Sequence, residues 1–401
     1  MYNEKVLIFH PTLYRVGVGS SEELLISFIK YLVNKTICQI HVVYEGHSEN
    51  ELISNISDRI IYYEINILNQ YSNQKKNGYY SKFINKVIRE KKINFFIGFV
   101  WEDYQQTIVS IPYSTKLLLI SPFGHFSSNG YLQKILVSGK KNFERIGQYT
   151  MNKRAQFFNP LPIPSFNKLV KDNSSIVLFG RAGRSDPSIF DPISLSAFKY
   201  LEIEFGSLVN FIYLNPCNNA IELAKKLNIK NIQFQSWLTK KELSDFYKKI
   251  DVFAHSRFDG ETLGVAIAEA LSYGNCFITH KTQLNNEQLF FANSPYGISV
   301  EQNDINEYYN SMRFFVINRE NLYEYGKIAS KFINLHFNED KILDNVFNEL
   351  FMANKQYPTL ILFFNNIKAV LCANFYYVKM KIYFIFKKYL KTNFNLFSNL
   401  K

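Results

Sequence analysis

Two carboxylates eight positions apart, Glu261 and Glu269, stand in the stretch DVFAHSRFDGETLGVAIAEALSYGNCFITH, residues 251–280. On one continuous helix they would differ by about 80° around the axis, so both would look to the same side. Between them the N–H groups of Thr262, Leu263, Gly264 and Val265 open an apolar-periodic segment. Free N–H groups at a helix start bind phosphate through their donors and the helix dipole. A carboxylate is a poor phosphate ligand but a good acceptor for sugar hydroxyls. The combination points to a ligand carrying phosphate and hydroxyls together, a nucleotide sugar. A histidine also stands in a suggestive place. His125, in SPFGHFS, follows an apolar strand, and α/β sheets put their chemistry in loops at strand carboxyl ends. His10, after the first strand, competes with it.

Such groups need elements that end at a common edge. Around the glutamates the pattern reads as a strand at Val252–Ala254, a helix from about Leu263 to Tyr273, a stop at Gly274 and a strand at Cys276–Thr279. That is the unit of a parallel α/β sheet. Earlier apolar runs predict strands at Lys5–Phe9, Gln39–Tyr44, Ile60–Tyr63, Phe95–Phe99, Leu117–Ile120 and Lys134–Val137, the last followed by a helix to about Tyr149. Helical spacing appears at Glu22–Leu32 and Tyr80–Glu90. Gly17 and Gly19 lie in the loop after the first strand, where they serve either a tight turn or a substrate contact. Pro160, Pro162 and Pro164 forbid a helix or interior strand, so residues 157–168 read as a linker. Beyond it, strands are expected at Ser175–Phe179, Val209–Leu214 and Ile232–Gln235. Helices are expected at Pro192–Phe205, Asn219–Leu227, Lys240–Lys249, Asn303–Ile317, Arg319–Phe337 and Asp340–Lys355.

Glu261-x7-Glu269, with Ala270-Leu271, Gly260, Leu263-Gly264 and Gly274 around it, resembles the signature of retaining glycosyltransferases of the GT-B fold, in particular glycosyltransferase family 4. The resemblance implies two Rossmann-like domains facing a cleft, and a final helix that crosses back to the first domain. It also implies a division into residues 1–156 for the acceptor, 157–168 as linker, 169–339 for the nucleotide sugar and 340–356 as the crossover helix. In that family a strand ending in Gly-Arg neutralises the donor diphosphate. Arg181 matches that arginine, and Arg184 takes the place of the family's following lysine. Carried over, Glu269 holds the ribose, Glu261 the sugar hydroxyls and His125 the donor sugar, while Trp237 lies near the base. The glycine loop at Gly17 and Gly19 is similar to the family's, with Val18 between the glycines rather than an adjacent pair. The implied enzyme is a metal-independent, retaining hexosyltransferase without cofactor, acting on a glycan or lipid-linked acceptor in bacterial surface polysaccharide or lipopolysaccharide synthesis. A non-catalytic nucleotide-sugar-binding scaffold and a GT-B-fold epimerase or phosphorylase remain as alternatives.

Composition bounds the rest. A chain of 401 residues exceeds one ordinary core, and 47% apolar with 20% charged residues is globular. The four cysteines are scattered, without a CxxC pair, and the N-terminus enters a strand directly, so a cytoplasmic protein is expected. No Asp-x-Asp pair at a strand end suggests a metal site. The net charge of +12 is concentrated in residues 357–401, which hold seven lysines and no carboxylate side chain. Apolar residues at 364, 367, 371, 375, 378, 382, 385 and 389 fall on one helical face of this tail. A basic amphipathic helix fits an anionic membrane surface, and packing on the protein itself or on a second subunit is the other reading. No zinc-finger, RNA-recognition or KH-type motif supports nucleic acid as the partner.

Overall fold

The computed structural model describes residues 4–10, 20–45, 56–65, 73–99, 111–112, 115–121, 134–137, 155–157, 175–236, 240–262 and 264–352, with helical positions at 371, 375, 378 and 382. The chain divides into two compact units, residues 1–158 with 343–401, and residues 159–342.

The first unit is built on strands that read as continuous apolar runs because both faces of a parallel sheet are covered. These are β1 (Lys5–Phe9), β2 (Gln39–Glu45), β3 (Ile60–Ile65), β4 (Phe95–Phe99), β5 (Lys116–Ser121), β6 (Lys134–Val137) and β7 (Ala155–Phe157). They form one sheet in the order β3-β2-β1-β4-β5-β6-β7, and every pairing is parallel. The strand β7 was not expected: it is three residues long, and Phe157 belongs to it rather than to the linker. Helices α1 (Ser20–Lys35) and α2 (Asn73–Lys91) accompany the sheet, and Tyr80, Ile84 and Ile88 of α2 share a core with Leu7, Phe96 and Leu119.

A later helix, here α9 (Glu339–Met352), belongs to this unit from Leu343 onward. Phe347 stacks on Tyr31 with ring centres 5.0 Å apart, Phe351 meets Phe95 edge-on at 4.8 Å, and Tyr31 donates its hydroxyl to Asp344. Lys116 Nζ donates to the Phe351 carbonyl at 3.0 Å, closing the last turn.

The second unit repeats the plan. Strands β8 (Val177–Arg181), β9 (Val209–Leu214), β10 (Ile232–Gln235), β11 (Val252–Ala254), β12 (Cys276–His280) and β13 (Gly297–Val300) lie in the order β10-β9-β8-β11-β12-β13, again all parallel. Sequence reasoning missed β13, a four-residue strand that starts on glycine and is only half buried. Helices α3 (Ile193–Phe205), α4 (Asn218–Lys226), α5 (Lys240–Lys249), α6 (Val265–Ser272), α7 (Ile305–Ile317) and α8 (Leu322–His336) cover the sheet. Phe179, Phe198, Phe211, Met312 and Phe315 make the core on one side, and Phe246, Ile250, Phe253, Ile267 and Leu271 that on the other.

The strand order reverses between β8 and β11, because β9 and β10 lie to one side and β12 and β13 to the other. Open α/β sheets bind ligands at that reversal, beyond the carboxyl ends of the strands. The loops there are residues 181–186 after β8 and 255–264 after β11.

Candidate active site

The loop after β11 is held from every side. His255 N–H donates to Ile278 O at 2.8 Å, and its carbonyl accepts the Tyr308 hydroxyl at 3.0 Å. Ser256 shares a 2.7 Å hydroxyl contact with Ser194, and its carbonyl accepts two bonds from Arg181, at 3.1 Å from Nε and 2.9 Å from Nη2. Arg257 N–H points to His280 Nε2 at 3.4 Å, and Phe258 N–H donates to Ile189 O at 3.1 Å. Gly260 has φ of +66°, and Asn285 N–H donates to Asp259 O at 3.2 Å. Gln288, fully buried, accepts the Glu261 N–H at 2.9 Å and donates to His280 O at 3.0 Å. A loop with this many independent ties keeps its shape before any ligand arrives.

The carboxylate of Glu261 is the acidic side chain of this loop nearest α6 in sequence. Its Oε1 lies 3.3 Å from His255 Nε2 and 3.5 Å from Arg257 Nη1, and its side chain keeps 19% exposure. Burial pushes the acid up, but the His255 bond and the positive Arg257 outweigh that and hold it below the usual carboxylate range. Glu261 is therefore an ionised acceptor at neutral pH. The Arg257 guanidinium also grips Asp259, with contacts of 2.5 and 2.9 Å. Burial opposes its charge, but Asp259 and Glu261 more than compensate and raise its pKa.

Helix α6 begins at Val265, so Thr262 and Gly264 precede it and the expected start near Leu263 is two residues early. The cause is Gly264, whose φ of +78° is left-handed and cannot continue a right-handed helix. Ala268 N–H makes the bond to Gly264 O, which leaves the N–H groups of Val265, Ala266 and Ile267 without an intrahelical carbonyl. Of the eight helical residues, Ile267, Ala268, Ala270, Leu271 and Ser272 are buried. Val265, Ala266 and Glu269 form the half-open face. Glu269 lies one turn along from Val265 on that face, a rise of about 6 Å. Its Oε2 accepts the Tyr247 hydroxyl at 3.1 Å, and the buried Tyr247 ring stacks on Tyr273 at 5.7 Å. Glu261 is in the loop and Glu269 on α6, so the angle of one continuous helix does not apply to the pair.

The other cations divide. Arg181 is 5% exposed, stacked over the Tyr213 ring at 4.7 Å, with Nε and Nη2 committed to Ser256. That fixes the loop, and among the described residues it leaves the Nη1 donors and the second Nη2 hydrogen for a ligand. Arg184 is exposed and close enough to Asp186 to lower the latter's pKa, after the larger effect of the two Ser188 bonds. Arg257 acts on Asp186 too, so two arginines from two loops share one neighbourhood. Sequence reasoning missed Arg257, along with His255, Tyr247, Thr279 and Gln288. Gly17, Gly19, His125, Trp237 and Leu263 lie outside the described residues. The competing histidine, His10, is fully buried against Phe99 at 4.7 Å, and burial lowers its pKa to about 3. An open cavity of about 1030 Å³ lies elsewhere in this unit, at the amino ends of β8, β9 and β10.

Residues 215–332, which include both glutamates and every element from α4 to most of α8, match the family described as Glycosyl transferases group 1. The second unit carries a group 1 glycosyltransferase domain. Solved structures extend the likeness to both sheets of the chain. A glycosyltransferase from Rickettsia africae is 13% identical with a TM-score of 0.68, the match covering 88% of this chain and 100% of that one. HepE from Anabaena, solved with UDP and glucose, is 13% identical with a TM-score of 0.66, over 88% and 100%. WaaG, a glycosyltransferase involved in lipopolysaccharide biosynthesis, is 12% identical with a TM-score of 0.60, over 85% and 99%. The fold is GT-B, as the resemblance implied. No curated protein matches the chain by sequence.

Proposed function

We propose that this group 1 glycosyltransferase is a retaining enzyme that moves a hexose from a nucleotide-diphosphate donor to a hydroxyl of a glycan acceptor. One observation carries the reading: an ionised Glu261 and a tyrosine-held Glu269 flank the unbonded N–H groups of α6 at the reversal of strand order. The spacing suits a nucleoside diphosphate, with the ribose diol on Glu269 and the diphosphate about one helical turn away on Val265 and Ala266. Arg184, the Nη1 of Arg181 and the Arg257 side share the charge that grows on the diphosphate as the glycosidic bond breaks. Thr262 and Gly264 bring the chain to this helix start. Glu261 accepts hydroxyls of the sugar. By the family resemblance His125 is assigned to the donor sugar, Gly17 and Gly19 to substrate approach, Trp237 to the base and the first unit to the acceptor. The acceptor hydroxyl attacks from the face the diphosphate leaves, gives its proton to a departing phosphate oxygen, and so keeps the anomeric configuration. Protein groups meet the diphosphate charge, with no cofactor or metal.

Known structures support the donor class: HepE is solved with UDP-glucose, and TarM with UDP and alpha-GlcNAc-glycerol. WaaG and the lipopolysaccharide galactosyltransferase WaaB favour a surface glycan as product. The tail supplies a route to such an acceptor on the inner face of the cytoplasmic membrane. Leu371, Phe375, Val378 and Ile382 are helical, repeat on one face and are 63%, 62%, 51% and 58% exposed. The seven lysines of residues 357–401 would add about 1 kcal/mol each near an anionic surface. Among the described residues no helix is long and apolar enough to cross a membrane.

Proton NMR of slow donor hydrolysis tests the reaction. The freshly released sugar should carry the donor's own anomeric configuration; the opposite anomer would refute retention, and no consumption of any nucleotide sugar would refute transfer. Removing residues 357–401 should leave consumption intact and abolish sedimentation with phosphatidylserine vesicles, and undiminished sedimentation would rule out the tail as the anchor.

A further inference from the structure

His255 occupies an unusual position for a titratable group. It sits at the end of a fully buried strand, its residue is 5% exposed, and both ring nitrogens have partners. Nδ1 lies 3.0 Å from the hydroxyl of Thr279, a residue with no exposure, and Nε2 lies 3.3 Å from Glu261 Oε1. A carboxylate can only accept, so Nε2 must carry the proton. A neutral ring then has a bare Nδ1, and the Thr279 hydroxyl, able to donate or accept, donates to it. The donors thus run in one direction: Thr279 Oγ1–H to Nδ1, then Nε2–H to Glu261.

We propose that Thr279 and His255 form a relay that positions Glu261, fixing the Nε2–H tautomer and tethering Oε1 so that Oε2 is presented to a hydroxyl of the donor sugar. The proposal rests on the donor reading above and assigns His255 as a positioning residue. Both contacts to Glu261, from His255 and from Arg257, fall on the same oxygen. Oε2 has no partner among the described residues. A carboxylate pinned through one oxygen turns the other in a defined direction, and a sugar carrying a hydrogen-bond donor there is selected over its deoxy analogue.

The groups facing His255 agree with a neutral ring. Burial lowers its pKa most, Glu261 pulls the other way, and His280 and Arg181 add to the lowering. Phe277 packs 6.2 Å from the ring, and the uncharged Tyr308 hydroxyl meets only the backbone carbonyl. Removing the Nε2 donor leaves Glu261 with the burial that raises its pKa and one fewer group lowering it. The acid limb of sugar-dependent turnover then moves to higher pH.

Two amides separate the relay from a plain packing role. The nitrogen of glutamine reaches about where imidazole Nε2 lies, and that of asparagine about where Nδ1 lies. H255Q should therefore keep kcat/KM for the nucleotide sugar within about 3-fold. H255N should lose roughly 10- to 100-fold, the worth of a hydrogen bond to a charged group, with its acid limb shifted up. Neither should change the Kd of the nucleoside diphosphate, which has no sugar for Glu261 to hold. The probes are UDP, GDP and ADP with their glucose, galactose and mannose conjugates. Equal losses in both variants, or none in either, would overturn the relay. Nitrogen-15 shifts of the wild-type ring, assigned by the signal missing from H255Q, give a readout independent of turnover: Nε2–H is expected, and Nδ1–H would overturn the relay. If no nucleotide sugar binds wild type, the donor reading fails, and the tautomer still decides the relay.

Discussion

Glu261→Ala lowers kcat/KM for the nucleotide sugar by about 100-fold and leaves the affinity for the free nucleoside diphosphate within about 2-fold. The size follows from losing a charge-assisted bond to a sugar hydroxyl, about 1.5–3 kcal/mol, that strengthens as positive character grows on the sugar ring. The split between sugar and nucleotide follows from position. Glu261 stands in the loop before α6, whereas the diphosphate and ribose are assigned to Val265, Ala266 and Glu269. Steady-state kinetics with a parallel nucleotide titration check both halves, and an equal loss of both affinities would place Glu261 on the nucleotide instead. The variant also has a pH signature. The Glu261 pKa is depressed in the folded state, so its contribution to stability is present above the unfolded carboxylate value and is lost as pH falls through the lower folded value. Wild-type stability should therefore fall with acid through that window, and the variant's curve should be flatter there.

Gly260→Ala has the largest effect on stability. An added Cβ would stand 1.8 Å from the Asn285 carbonyl oxygen and 2.6 Å from Thr282 Oγ1, and the first of these is backbone that cannot swing aside. The φ of +66° adds the cost of a left-handed conformation, about 1–2 kcal/mol for a residue with a side chain. With the overpacking cost of about 1–3 kcal/mol, the second unit should lose roughly 2–5 kcal/mol. Asn285 is tied to Asp259, and Glu287 N–H to Glu261 O at 3.1 Å, so relief of the clash must move the segment that carries Glu261. Thermal unfolding should show the loss and donor turnover should fall with it. A variant as stable and as active as wild type would mean that this loop is far softer than its hydrogen bonds imply.

These two residues also show what the sequence could reveal. Glu261 and Glu269 were legible because their neighbours announce themselves: an apolar strand, a glycine turn, a periodic helix and a glycine stop follow one another within thirty positions. The parallel sheet was legible for the same reason, since apolar runs alternating with helical spacing leave little else, whereas the strand order came only with the structure. The partners that set the glutamates were not. Thr279 lies 24 residues from His255, Gln288 lies 27 from Glu261, and Tyr247 lies 22 before Glu269. Each looks locally like ordinary strand, loop or helix. His255 in particular reads as the polar end of an apolar strand, and only the pairing of β11 with β12 brings Thr279 beside it. Arg181 has a second duty that its type does not announce. Its type suits phosphate, and the sheet also buries it and commits two of its nitrogens to Ser256. Short elements escaped because β7 and β13 carry three and four residues, too few for a period to show.

The central claim is a nucleotide-sugar site built on α6 and the loop before it, and nucleotide binding tests it most directly. Thermal shift of the intact chain with UDP, GDP, ADP and CMP, repeated on Glu269→Ala, is the measurement. A nucleotide at 100 times its dissociation constant adds roughly 2.7 kcal/mol to the folded state, well above detection. The predicted result is one nucleoside diphosphate that raises the melting temperature of wild type and does not raise that of Glu269→Ala, each read against its own unliganded protein, the variant starting lower because the buried Tyr247 hydroxyl loses its acceptor. Stabilisation that survives the substitution undiminished would put the nucleotide elsewhere and contradict the assignment.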